Sequence, residues 1–340
     1  MKKKILSVLK YLLFLAIGGV LFWLTLRGKD LNKNLEEIKS ADYRWIGLSV
    51  VVMILSHITR AIRWNQLLNT LHIKTKTHTT FFAVMIGYFV NNAVPRLGEI
   101  TRCGVLSNHH KVPINSVIGT VIAERAFDMI TMVLILILTI VSQLDLLGAF
   151  INKHLLMPLS AKFPSSTYVI IILISTLIIL GLFFFIFYRL LLPKLRKINL
   201  FIKGVALVKG FWNGIMTIKN VKHKFLFLFY SLLMWGFYTL TIFVCFQSIS
   251  ATEHLTFLDA LTIMALGSIG TLVPTPGGIG AYQYFVSLSL ISLFLIEKNT
   301  ASAFANLVYF TQWIMINIVG GISWIILFLS QKKASSHEKI

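Results

Sequence analysis

Glu124, Arg125 and Asp128 lie inside an otherwise apolar run, residues 115–142. Glu124 is nine residues from the start of that run, roughly 13 Å deep at about 1.5 Å per residue. An ionised side chain at the bilayer centre costs at least about 2.5 kcal/mol, so such residues are expected to face a protein interior. Glu124 and Asp128 are four apart and share a helix face, while Arg125 and Asp128 are three apart and can pair. A second charged set follows a helix break at Asn91-Asn92-Ala93-Val94-Pro95: Arg96, Glu99 and Arg102. The spacing sets Arg96, Arg102 and Arg125 against Glu99, Glu124 and Asp128, a neutral group of six. Guanidinium forks fit phosphate oxygens, which makes a headgroup site one reading. A salt-bridge network that only joins two helices needs the same residues. Carboxylates serving as acid and base are a third reading. Arg60 and Arg63 lie one turn apart near the end of another apolar run and precede Trp64. That placement suits an interfacial anchor or a headgroup contact. His57, deeper in the same run, reads as a hydrogen-bonded core histidine.

These residues need elements that hold them inside a membrane. The chain has 340 residues, of which 56% are apolar and only 13% charged. Its mean hydropathy is +0.80. Soluble proteins carry about 25% charged residues. Several apolar runs reach the roughly 20 residues that cross a bilayer as a helix. Their lack of a two-residue period excludes an outer-membrane barrel. The formal charge is +20, with the basic residues clustered beside apolar segments. Topology and anionic headgroups explain that clustering better than nucleic acid does. Cys103 and Cys245 are too few for a disulfide framework. His109-His110 has no Cys or carboxylate following at ligand spacing, so no metal site is expected there.

Six full spans are predicted near 5–26, 45–64, 115–142, 167–190, 225–249 and 301–330. Two further apolar regions, 79–112 and 257–297, are interrupted. The second breaks at Pro274-Thr275-Pro276-Gly277-Gly278-Ile279-Gly280, where two prolines and three glycines cannot continue a helix. Free backbone groups at membrane depth are tolerated only where protein or a wet cavity satisfies them. The N-terminus, 59–80, 189–224 and the tail are rich in Lys and Arg; the 189–224 segment has nine and no acid. The positive-inside rule places all four in the cytoplasm, giving N-in and C-in. The pattern closes if each broken region returns to its own side, as a re-entrant hairpin or a pair of spans. Hairpins entering from opposite faces resemble the broken helices of transporters with midplane sites. The fold class is therefore all-α and polytopic, with about six full spans and two broken or re-entrant hairpins. Residues 1–330 form one transmembrane domain, with an amphipathic helix near 196–218 on the cytoplasmic leaflet and a tail at 331–340.

Four motifs occur in order: Arg60-x-x-Arg63-Trp64-x-x-Leu67-Leu68, Asn91-Asn92-x-x-Pro95-x-x-Gly98-Glu99-x-x-Arg102, Glu124-Arg125-x-x-Asp128, and Pro276-Gly277-Gly278-Ile279-Gly280. In this the chain resembles the flippase-like transmembrane domain of the lysylphosphatidylglycerol synthase family, the membrane half of the multiple peptide resistance factors. The resemblance covers nearly the whole chain. It implies a membrane domain that moves an aminoacylated lipid, without the soluble domain that makes it from aminoacyl-tRNA. Related stand-alone members are tied to other lipids, including polyprenyl-linked sugars and hopanoids. Gln283 departs from the acidic residue expected soon after the Pro-Gly-Gly turn.

The resulting expectation is a lipid flippase of the bacterial cytoplasmic membrane, acting on a phospholipid or other lipid with an anionic or aminoacylated headgroup. No GxxxxGK[ST] loop is present to couple nucleotide hydrolysis, and no cofactor, metal or enzymatic activity is expected. The expected headgroup site comprises Arg60, Arg63, Asn91, Asn92, Arg96, Glu99, Arg102, Glu124, Arg125 and Asp128. Pro95, Pro274, Pro276, Gly277, Gly278, Gly280 and Gln283 would shape a hollow between the two hairpins. The alternatives are an intramembrane lipid-modifying enzyme and a non-catalytic partner of a separate lipid-modifying enzyme. A second copy of the chain is a further candidate partner.

Overall fold

The computed structural model describes residues 2–143, 219 and 221–337, with side chains from 12 to 330 of these. The chain divides into two compact units, Met1–Ser142 with Gly214–Ile340, and Gln143–Asn213. The expected span 167–190 and amphipathic helix 196–218 lie outside the described residues.

Ten α-helices make up the described residues: α1 (Lys2–Leu26), α2 (Leu31–Ser40), α3 (Tyr43–Asn69), α4 (Thr77–Ala93), α5 (Leu97–His110), α6 (Ile114–Ser142), α7 (Lys224–Phe246), α8 (Phe257–Leu272), α9 (Ala281–Leu293) and α10 (Lys298–His337). Four are long and apolar enough to cross a bilayer: α3, α6, α7 and α10 over Lys298–Ser330. A fifth span is α1, if its bend of 85° into α2 is counted as one broken span. The segment between the first two predicted spans, 5–26 and 45–64, thus contains a helix. Asp30 caps α2, its carboxylate accepting from the Asn32 and Lys33 amides.

The outward faces of these helices are apolar. On α6, Met129, Val133, Leu134, Ile137 and Leu138 are exposed; on α10, Ile314, Ile318, Ile322 and Ile325 are. A belt of this extent is unsuited to water and matches acyl chains. The molecule is an integral membrane protein.

The two interrupted regions form two hairpins of short helices. α4 and α5, of 17 and 14 residues, fold back on each other. α8 and α9, of 16 and 13 residues, do the same. At about 1.5 Å per residue each arm is about 20–25 Å long, short of a roughly 30 Å hydrocarbon core. Each hairpin anchors its own core. Trp64, Leu67, Ala83, Val84, Leu106, Val117 and Phe227 form one around α4 and α5. Ile242, Phe246, Ile263, Val286, Leu290 and Phe304 form the other around α8 and α9.

The hairpins meet tip to tip. The 3₁₀ turn Pro276–Gly278 joining α8 to α9 packs on the last turn of α4. A Cβ placed on Gly277 would fall 2.8 Å from Asn92 Oδ1. The Tyr309 hydroxyl of α10 donates to the Gly277 carbonyl at 3.1 Å. Glycine is required in this turn: Gly277, Gly278 and Gly280 have φ of 59°, 79° and 78°. Two long helices locate the junction in depth. Gly280 lies against Gly18 of α1, eight residues before Leu26, or about 12 Å from that end. Tyr309 is eleven residues into α10, or about 16 Å from Lys298. The tips therefore meet well inside the span of both.

Candidate functional site

Arg60 and Arg63 share one face of α3 with Ser56, Trp64 and Leu67, all buried. Thr120, Glu124 and Asp128 share one face of α6, also buried. The helices run antiparallel, so Arg60 meets Asp128, Arg63 meets Glu124 and Trp64 meets Thr120. Arg60 reaches both carboxylates, Nη1 to Glu124 Oε1 at 3.1 Å and Nη2 to Asp128 Oδ2 at 3.3 Å. Arg63 does likewise, Nη2 to Glu124 Oε1 at 3.3 Å and Nη1 to Asp128 Oδ1 at 2.7 Å. Arg102 closes the set from α5, its Nη2 3.0 Å from Glu124 Oε2. The Glu124 side chain is 0% exposed and meets three guanidinium groups.

Aromatic and hydroxyl groups complete the surroundings. The Arg102 guanidinium stacks 4.6 Å above the Trp64 ring. Trp64 Nε1 donates to Thr120 Oγ1 at 2.9 Å, and Arg63 Nη1 donates to Ser231 Oγ of α7 at 3.3 Å. Arg60 lies over Tyr88, whose ring also faces His57 at 4.8 Å. Sequence reasoning missed Tyr88, Thr120 and Ser231. Only the helical spacing of Thr120 from Glu124 offered a signal. His57 was expected to be hydrogen-bonded, yet neither of its ring nitrogens has a partner among the described residues.

Several expected pairings are replaced. Arg60, Arg63 and Trp64 do not face outward as an anchor would. α3 continues to Asn69, and all three are buried. Arg125 does not pair with Asp128, which the two α3 arginines take; Arg125 Nη2 instead meets Glu99 Oε1 at 2.9 Å. Arg102 pairs with Glu124 of α6. Arg96 is exposed and joins no ion pair among the described residues. The buried set therefore has three arginines and two carboxylates, Arg60, Arg63 and Arg102 with Glu124 and Asp128. It carries one positive charge in excess, where a neutral group was expected. The Nε atoms of all three arginines have no hydrogen-bond partner among the described residues.

Beside this set lies a crevice lined by Gly87, Tyr88, Asn91, Glu99, Arg102 and Arg125. Its volume is about 10 Å³, room for about one water. Where a hollow between the hairpins was expected, their tips are in contact. Glycines bring α4 and α5 this close: a Cβ on Gly98 would overlap the Gly87 carbonyl oxygen. The first amides of α5 have no partner within the helix, and Asn91 supplies one. Its Oδ1 accepts from Gly98 N at 2.7 Å while its Nδ2 donates to Glu99 Oε2 at 3.3 Å. Pro95 and Arg96 form the connection, with Arg96 at φ 65°.

Beyond Asp259 in the first turn of α8, the second hairpin has no charged side chain. Gln283 is fully buried, and its Oε1 accepts from Gly280 N at 2.7 Å, capping α9. A carboxylate could accept that same bond, so glutamine keeps the cap without a charge. Pro274 and Pro276 flank Thr275, which is buried with its hydroxyl unpartnered among the described residues. Gly278 and Gly280 are buried in the turn.

Comparison with known proteins agrees with this architecture. A UPF0104 membrane protein of Methanocaldococcus jannaschii is 25% identical over 342 residues, covering 96% of this chain and 95% of its own length. A UPF0104 membrane protein of Pyrococcus horikoshii is 26% identical over 332 residues, covering 92% and 96%. No solved structure matches. The family model described as the lysylphosphatidylglycerol synthase TM region matches residues 11–320. This chain belongs to that family.

Proposed function

We propose that this protein moves lipids with an anionic headgroup between the leaflets of a cell membrane. The observation that carries the reading is the surplus arginine charge beside the crevice. A buried cation without a matching anion is costly. A headgroup phosphate reaching Arg102 and Arg125 would supply that anion, and the planar guanidinium suits phosphate oxygens. The family description names a phosphatidylglycerol derivative whose headgroup keeps its phosphate, although the lysyl group makes that lipid cationic overall. Acyl chains would stay against the apolar outer faces of α6 and α10.

The reading is a carrier, not an enzyme. Glu124 meets guanidinium groups at both carboxylate oxygens, and so does Asp128. Glutamine at 283 likewise favours a structural role for the second hairpin. The cytoplasmic membrane, with both termini inside, remains the proposed location, and the relatives named above come from archaea.

The test is headgroup translocation in proteoliposomes carrying fluorescent phosphatidylglycerol. Arg125→Gln leaves the buried set intact and should slow translocation at least tenfold. Equal rates for wild type and Arg125→Gln would remove this site from transport.

A further inference from the structure

We infer that the Glu99 carboxylate is a tethered competitor for the anion site, holding the place of a phosphate on Arg125 until an anionic headgroup displaces it. The inference rests on the proposed lipid transport and assigns Glu99 a role of its own. Four observations lead to it. The Arg125 and Glu99 side chains are 39% and 29% exposed, whereas the arginines and carboxylates of the neighbouring set are nearly sealed. Arg125 is thus the crevice arginine that an incoming group can reach. The crevice is too small for a phosphate, so binding at Arg125 requires its present anionic partner to leave. The partial exposure of the pair gives a competing anion access to it. Finally, Arg102 lines the same crevice, is buried, and has its Nε unpartnered among the described residues. A second donor is therefore in place for an oxygen that the Glu99 carboxylate does not reach.

Glu99 can swing away without disturbing the fold. It is in the first turn of α5, next to the connection at Val94–Arg96. Its other partner is the amide of Asn91, whose oxygen independently holds Gly98 N. The chemistry that displaces Glu99 is a phosphate whose charge no ammonium in the same headgroup offsets, whether borne by a lipid or free.

Binding to the purified full chain in neutral detergent tests this. The probes are short-chain phosphatidylglycerol, short-chain phosphatidylcholine and inorganic phosphate. Glu99→Gln should bind phosphatidylglycerol at least fivefold more tightly than wild type. Phosphatidylcholine, whose headgroup carries no net charge, should gain less than twofold. A comparable gain for inorganic phosphate assigns the site to the phosphate alone, and a gain for the lipid only assigns it to the headgroup with its chains. Adding Arg125→Gln to Glu99→Gln should erase the gain. Unchanged or weaker phosphatidylglycerol binding by Glu99→Gln overturns the competitor role. If Arg125→Gln alone also leaves wild-type binding unchanged, the transport reading fails with it. Equal melting temperatures for all variants confirm that each is folded.

Discussion

The two hairpins share a plan and differ in charge. Each is a pair of short helices around a broken tip, and the tips touch at Asn92 and Gly277. The first carries Arg96, Glu99 and Arg102 and faces Arg125. The second has no Asp, Glu, Lys or Arg between Asp259 and Glu297. Gln283 satisfies the hairpin's own backbone at Gly280. A broken hairpin thus poses one problem, unpaired amides at its tip, with two solutions. The first hairpin's solution, Asn91, holds the glutamate that partners Arg125. The second hairpin's solution is glycine geometry and a neutral cap. One arm of the junction is built to meet a charged group, and the other to hold it in place.

The comparison can be broken most severely at Glu124. Glu124→Gln removes the anion that three guanidinium groups share. Loss of one partner from a buried set costs about 3–5 kcal/mol. A large fall in melting temperature or folded yield is expected, so transport assays at this position report folding. Unchanged stability would mean that the set is not sealed.

Next are the glycines. Gly98→Ala would press on the Gly87 carbonyl, and Gly280→Ala would press on Gly18 of α1 at a positive φ. Overpacking of this kind costs about 1–3 kcal/mol. Comparable losses in thermal stability are expected from both, because the tips share this demand despite their different charge.

The caps sharpen the contrast. Asn91→Ala and Gln283→Ala each lose a hydrogen bond at a helix start, about 1 kcal/mol. Only Asn91→Ala should also change phosphatidylglycerol binding, since only Asn91 holds Glu99. Gln283→Glu should lower thermal stability, because it puts a charge at a fully buried site.

The smallest effect is expected far from the tips. Lys29, in the turn between α1 and α2, donates to Ser287 Oγ of α9 at 2.9 Å. Burial first, then Lys298, push its pKa down from 10.5 to about 8, while Glu297 opposes them. Between those values the unfolded chain binds more protons than the folded one, so stability rises with pH across that window. Melting temperature should climb slightly from pH 8 to 10, and Lys29→Gln should flatten the rise.

Much of this was legible in the residues. Apolar runs placed α1, α3, α6, α7 and α10, and the Asn-Asn and Pro-Gly breaks marked both hairpins. Glu124 and Asp128 announced a protein-facing side of α6. The partners were harder to read. An Arg-Trp pair after twenty apolar residues resembles an interfacial anchor, yet α3 extends beyond it because Leu67 and Leu68 find a core at 0% exposure. The span is therefore 27 residues, and the arginines are inside it. Local spacing favoured Arg125 with Asp128. Two arginines from another helix outcompeted it, and sequence spacing carries no record of such tertiary contacts.

The central claim is that surplus arginine charge beside the first hairpin selects an anionic headgroup. Mass spectrometry of lipids retained by gently purified protein tests it directly. Anionic phospholipid should be enriched over its share of the source membrane in wild type, and Arg125→Gln should lose that enrichment. Retained lipid that mirrors the membrane composition in both proteins would contradict the account.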